Sequence, residues 1–234
     1  MTGRLLLLSS SSVFGGGDLE YARPSLQAFL GNARRISFIP YALSDHDGYT
    51  SWARDAFQPM GYALRSLHEA PLPSEALLDS EAIFCGGGNT FRLLKFLYDL
   101  ELIDVIRNRV REGVLYSGAS AGAVVAGPTI MTTNDMPIVQ PPSLHSLGLV
   151  PFQINPHYFE ADPSSRHMGE TRDQRIEEFH EENPTPVVAL REGAILHVLN
   201  DHVELSGIAG ARVFRRGRSP VDVNPGTSLD PHLD

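Results

Sequence analysis

Short apolar runs recur along the chain, each closed by a glycine-, serine- or proline-bearing turn and most followed by a stretch with helical apolar spacing. Residues 4–9 read as a buried strand that enters a Ser/Gly loop over 10–17. Asp18 is placed to cap a helix running to about Phe29, with Leu19, Ala22, Leu26 and Phe29 on one face. Strands follow at 36–40, 61–67, 81–85 and 114–117, with helices expected at 48–60, 91–100 and 102–112 and a short one ending near Asp79. Residues 129–133 look extended, 150–155 and 187–190 read as strands, and 171–182 as a charged helix carrying Ile176 and Phe179. Between these, 161–169 is loop-like. A hairpin of residues 195–199 and 202–205 turns at Asn200-Asp201, and 212–214 adds a last strand.

Alternation of strands and helices over most of the length predicts an α/β fold. Its expected form is a three-layer sandwich, a mostly parallel central sheet with helices on both faces, plus a small C-terminal hairpin. Such sheets bind ligands where strands present their carboxyl ends. Gly88, Ser120, His157 and Glu192 all fall just after predicted strands.

The 234 residues fit one α/β domain over 1–216, with a tail over 217–234 that is rich in Pro, Asp and Ser, lacks periodicity and is expected to be poorly ordered. A net charge of −9 argues against a broad nucleic-acid or anionic-membrane surface. The apolar run Leu5 to Leu8 is too short for a signal peptide, and no stretch approaches the ~20 apolar residues of a membrane span. Cys85 is the single cysteine, so neither an internal disulfide nor a cysteine-rich metal site is available, and the cytoplasm is the expected location. Asp45-His46-Asp47 reads as a solvated loop rather than a metal site, and Gly15-Gly16-Gly17 as a turn rather than a phosphate loop.

Gly118 and Gly122 flank Ser120 in the G-x-S-x-G spacing of a nucleophile elbow, a sharp strand-to-helix turn. A serine there is either a nucleophile beside unpaired backbone N–H groups that can hold an oxyanion, or part of an ordinary glycine-rich turn. A nucleophilic serine needs a base, and of nine histidines only His157 directly follows a strand end, in Asn155-Pro156-His157-Tyr158. Glu192 stands in another strand-end turn, before Gly193, as either an orienting carboxylate or a surface one. The order Ser, His, Glu differs from the Ser, acid, His order of α/β-hydrolases.

Five motifs, in one order, resemble the peptidase E, or α-aspartyl dipeptidase, family. They are Gly86-Gly87-Gly88-Asn89-Thr90, Gly118-Ala119-Ser120-Ala121-Gly122, Thr132-Thr133-Asn134-Asp135-Met136-Pro137, Gln153-Ile154-Asn155-Pro156-His157 and Gly169-Glu170-Thr171-Arg172-Asp173-Gln174-Arg175. The resemblance runs over residues 5–214 and implies a flavodoxin-like, class I glutamine-amidotransferase-like fold. It implies metal-independent hydrolysis of dipeptides with an N-terminal aspartate, with no cofactor, by a monomer or homodimer. Ser120 would be the nucleophile, His157 the base and Glu192 the orienting carboxylate, with the N–H groups of Gly88 and Ala121 as oxyanion hole. Asn89, Asp135 and Arg172 would be substrate-binding, Arg172 suiting the aspartyl carboxylate and Asp135 the free α-amine.

Two rivals remain on the same scaffold. One is a cyanophycinase-like hydrolase of β-aspartyl–arginine polymer; the other is a non-catalytic small-molecule sensor. The Asn134-Asp135-Met136-Pro137 and Glu170-Thr171-Arg172 blocks favour the dipeptidase over the first, and the complete set of triad residues favours it over the second.

Overall fold

The structure, a computed structural model, describes residues 3–161, 164, 166 and 168–233. Asp162, Pro163, Ser165 and His167, in the loop expected over 161–169, lie outside the described residues. The central sheet is built on β1 (Arg4–Leu8), β2 (Ile36–Ile39), β3 (Leu64–Ser66), β4 (Ala82–Cys85) and β5 (Leu115–Ala119). These five run parallel, in the order β1-β5-β4-β2-β3. Parallel strands covered on both faces need apolar residues at every position, and Leu5 to Leu8 supply them. Leu5 and Leu7 enter one core and Leu6 and Leu8 the other, as a two-residue period dictates.

Helices cover both faces. Against the Leu6/Leu8 side lie α1 (Arg23–Leu30) and α2 (His46–Phe57) through Leu26, Leu30, Ala53 and Phe57. The chain then makes α3 (Pro73–Leu78), α4 (Thr90–Asp99), α5 (Leu102–Arg111) and the single turn α6 (Ala121–Val124), which bury residues on the Leu5/Leu7 side. Helix α1 starts later than expected, because Leu19 is left-handed at φ 52 and Pro24 suits only a first helical turn. Asp45 is an exposed residue at the end of the loop, but its carboxylate accepts the Gly48 N–H at 2.9 Å and caps α2, so His46 and Asp47 lie within the helix.

Three of the expected strands depart from the single-sheet picture. β6 (Gln153–Tyr158) and β7 (Val187–Arg191) pair with each other and form a second, four-stranded sheet, β11-β10-β7-β6. Its other members are β10 (Ala211–Arg215) and β11 (Arg218–Val223). Val188, Leu190 and Val213 join the core on the Leu5/Leu7 side of the central sheet. Val187, Ala189 and Phe214 face the opposite way, against Ile176 and Phe179 of α7 (Arg172–Glu182). The hairpin of β8 (Ala194–Leu199) and β9 (His202–Gly207) extends the central sheet antiparallel to β1. The stretch 129–133 contributes only one bridge, from Thr129 to His145.

The tail is likewise not irregular. β11 lies within 217–234, followed by β12 (Thr227–Ser228), which pairs with β9, and by α8 (Asp230–Leu233). Val221 and Val223 pack on the main core, a two-residue period too brief to stand out beside three surrounding prolines. No helix among the described residues is long and apolar enough to cross a membrane.

Where β4 and β5 run side by side, Cys85 is in register with Gly118, so the glycine turn and the serine elbow leave the sheet at one level. Cys85 itself is fully buried, and burial pushes its thiol up to about 12, which rules it out as a nucleophile. Gly122 passes so close to Cys85 that a Cβ would collide with the Cys85 carbonyl oxygen. Gly122→Ala is expected to destabilise the protein by about 1–3 kcal/mol through this overpacking, read as a lower urea midpoint.

Candidate active site

The loops that leave the carboxyl ends of the parallel strands enclose a cleft of about 950 Å³. Its wall takes Ser10 to Phe14 after β1, Leu43 after β2, Gly87 and Gly88 after β4, and Ser120 after β5. Tyr49 and Trp52 of α2 supply apolar surface. Asp135, His157 and Glu192 complete the wall near the serine.

Ser120 sits at φ 50, ψ −111, a conformation costly for any residue with a side chain. Backbone bonds hold it there: its N–H donates to Leu8 O at 3.0 Å, and its carbonyl accepts from Ala123 and Val124, both at 2.9 Å. The next residue, Ala121, opens α6, so its N–H has no acceptor within the helix. Gly88, at φ 132, brings the other strand-end turn to the cleft; a Cβ there would lie 2.8 Å from Ala42 O.

The histidine beside Ser120 comes from the second sheet. His157 lies inside β6, at φ 54, rather than just after it, and its Nε2 is 2.9 Å from Ser120 Oγ. Its Nδ1 is 3.0 Å from Glu192 Oε1. An Nδ1–H donated to that carboxylate leaves Nε2 free to accept the serine proton. Glu192 and Gly193 are the two residues between β7 and β8, so the carboxylate stands where the chain crosses from one sheet to the other. Gly193 is left-handed at φ 88. The Glu192 side chain is 53% exposed, which makes the pair a means of orientation rather than of stability.

Ser9 was invisible as a functional residue, being read only as the last residue of a strand. Its hydroxyl is fully buried, accepts the His157 N–H at 3.0 Å and donates to Leu190 O at 2.9 Å. One side chain, just after β1, thus bonds both β6, which carries His157, and β7, which leads to Glu192. Tyr21 is a second unforeseen contributor: its OH donates to Ser10 O at 2.7 Å, and burial pushes the phenol up to about 12, so it stays protonated.

Asp135 lines the cleft and is anchored by three donors on one oxygen, Oδ2. These are Thr90 N at 2.8 Å, Thr90 Oγ1 at 2.5 Å and Thr133 Oγ1 at 3.1 Å. Asn89, expected among the substrate contacts, is not part of the cleft wall. It caps α4, accepting the Arg92 N–H at 3.0 Å, and donates from Nδ2 to Met136 O at 2.9 Å. Both ends of the amide are committed to the fold.

Arg172 also lies off the wall. Its Nη1 donates to Asn134 Oδ1, its guanidinium stacks 5.2 Å from the Phe159 ring centroid, and its buried Nε has no partner among the described residues. Desolvation lowers its pKa, while the nearby charge of Asp135 partly offsets that effect. Asn134 is held in turn by Asn155 Nδ2 at 2.9 Å and by its own bond to Pro156 O at 2.7 Å. The wall therefore carries the carboxylates of Asp18, Asp45, Asp135 and Glu192, and no Lys or Arg among the described residues. Such a cleft favours a substrate bearing an ammonium group.

The sequence profile of peptidase family S51 matches residues 5–206. Peptidase E of Streptomyces coelicolor is 50% identical over 230 residues, covering 98% of this chain and 95% of that protein. A protein of Drosophila melanogaster named "Probable alpha-aspartyl dipeptidase" is 47% identical over 224 residues, covering 94% and 93%. Among solved structures, a peptidase from an acI-B1 Actinobacterium superposes with a TM-score of 0.70 over 97% of this chain and 96% of its own, at 18% identity, a likeness of fold alone. A family match over most of the chain and full-length relatives near half identity place it: the chain belongs to peptidase family S51 and is a serine peptidase.

Proposed function

We propose that the protein hydrolyses dipeptides with an N-terminal aspartate, Asp-X, through an acyl-enzyme on Ser120, with His157 and Glu192 completing the triad. The observation that carries this reading is the unbroken chain from Ser120 Oγ through His157 to Glu192 on the wall of a cleft that also holds Asp135. Relatives named peptidase E and alpha-aspartyl dipeptidase support the choice of substrate.

Ser120 Oγ attacks the peptide carbonyl carbon while His157 Nε2 takes its proton. The N–H groups of Gly88 and Ala121 stabilise the negative oxygen that develops. When the C–N bond breaks, His157 returns the proton to the departing amine of residue X. Water then attacks the aspartyl ester, again losing its proton to His157, which returns it to Ser120 Oγ as the C–O bond breaks and free aspartate leaves. Glu192 holds the ring so that Nε2 faces the serine and the imidazolium is stabilised.

Asp135, anchored through Oδ2, presents Oδ1 to the substrate α-ammonium. Arg172 turns from Asn134 toward the substrate's β-carboxylate, where its planar fork gives two parallel hydrogen bonds. Its unpartnered Nε and desolvated state suit a guanidinium that gains an anionic partner on binding. The cytoplasm is the compartment we assign, since a sole, buried cysteine serves no disulfide.

Ser120→Ala and His157→Ala should each lower kcat/KM for Asp-Leu by about 10³-fold or more, and Glu192→Gln by less, in a coupled aspartate-release assay. Full activity in Ser120→Ala would end the acyl-enzyme reading. Arg172→Met should lower kcat/KM for Asp-Leu by about tenfold or more, matching the ~1.5–3 kcal/mol of a charge-assisted bond. In the same assay isoaspartyl-Leu and N-acetyl-Asp-Leu should be poor substrates. Equal cleavage of all three peptides would discard the α-aspartyl, free-amine assignment.

A further inference from the structure

Three of the functional positions have an immediate chain neighbour in one charged cluster. Tyr158 follows His157, Arg191 precedes Glu192 and Asp173 follows Arg172. The cluster lies on the α7-covered face of the second sheet, where Phe214 and Ala189 also point. Arg212 of β10 is its hub. Its Nη1 donates to the Tyr158 hydroxyl and to Asp173 Oδ2, each at 3.1 Å, while Tyr158 OH donates to Asp173 Oδ1 at 2.6 Å.

The other edge of the Arg212 guanidinium grips Asp222, its register partner on β11, with Nε to Oδ1 at 3.0 Å and Nη2 to Oδ2 at 2.7 Å. Asp222 Oδ1 also accepts Arg191 Nη2 at 2.6 Å, and Arg191 Nε donates to Glu160 Oε1 at 2.9 Å. Both guanidinium groups stand over the Tyr158 ring, at 5.6 Å for Arg191 and 5.9 Å for Arg212.

This is not a loose surface pair. Tyr158 is 2% exposed, and the two arginine side chains are 24% and 22% exposed. A two-pronged bond in a shared network holds geometry far better than an isolated exposed ion pair. The Arg212 fork holds the Asp222 carboxyl down at about 2, against the opposing effect of burial. Glu192 is half exposed, as Asp222 is, and it directly follows β7, so the backbone at the end of that strand sets where its carboxylate can reach.

We propose that this cluster, with Arg212 as hub, is a positioning device that sets where the ends of β6 and β7, and with them His157 and Glu192, stand against Ser120. The proposal rests on the triad reading above. Arg212 and Asp222 touch neither the cleft nor the reacting atoms; they act through the backbone of the residues that do. It also gives β11 a role in catalysis, although that strand lies outside the residues 5–206 matched by the family profile.

The test uses the full-length protein, a serine-directed fluorophosphonate as probe, and the variants Arg212→Met, Arg212→Lys and Asp222→Asn, each checked for a cooperative melt above assay temperature. Misplacement of a triad by a fraction of an ångström should slow labelling of Ser120 about tenfold in Arg212→Met and Asp222→Asn. Labelling should still reach wild-type stoichiometry, whereas partial unfolding would lower the stoichiometry instead. For Asp-Leu, kcat should fall in parallel with KM changed by no more than about twofold. Arg212→Lys, which keeps the charge but not the fork, should recover only part of the rate. Wild-type labelling rates in folded Arg212→Met and Asp222→Asn overturn this proposal and leave the triad standing. Failure of the probe to label Ser120 in the wild-type protein overturns the triad reading and this proposal with it.

Discussion

Ser120 and His157 belong to different sheets, and the Ser9 hydroxyl joins those sheets at the point where the two residues meet. It bonds the His157 N–H on one side and Leu190 O on the other, in a position closed to water. A buried hydroxyl with both partners satisfied has a strong energetic preference for this one arrangement, because any slip leaves polar groups unpaired. The distance between Ser120 and His157 therefore depends on a third residue, Ser9.

The same junction explains the unusual backbone at the site. Ser120 and His157 both have φ near +50, which neither residue adopts without constraint. Ser120 is held by bonds to Leu8, Ala123 and Val124, and by the close passage of Gly122 against Cys85. His157 is held by Ser9 and by an irregularity in the pairing of β6 with β7 between Asn155 and Tyr158. Rigid elements on both sides supply the restraint, and the two constrained residues bring their side chains into hydrogen-bond contact.

Charge is divided between the cleft and the α7-covered face of the second sheet. At the cleft stand carboxylates, one bonded to His157 and one anchored by threonines. On the α7 side, arginines and carboxylates alternate in a partly shielded network. Because side chains alternate along a strand, consecutive residues such as His157 and Tyr158 can serve the two faces at once.

How much of this the sequence by itself determined follows from the range of the signals. Local patterns identified every strand of the parallel sheet and the strand-to-helix turn at Ser120, because two-residue periods and glycine turns are written in contiguous residues. Five spaced motifs added the family. The tertiary structure alone decided that β6 and β7 leave the central sheet, since a buried strand reads the same in whichever sheet it pairs. It alone set Arg172 behind Asn134 and made a tail of prolines and aspartates into a strand. Ser9, Arg212 and Asp222 belonged to the same class: their partners lie on distant segments, and no local pattern records which distant groups a side chain will meet.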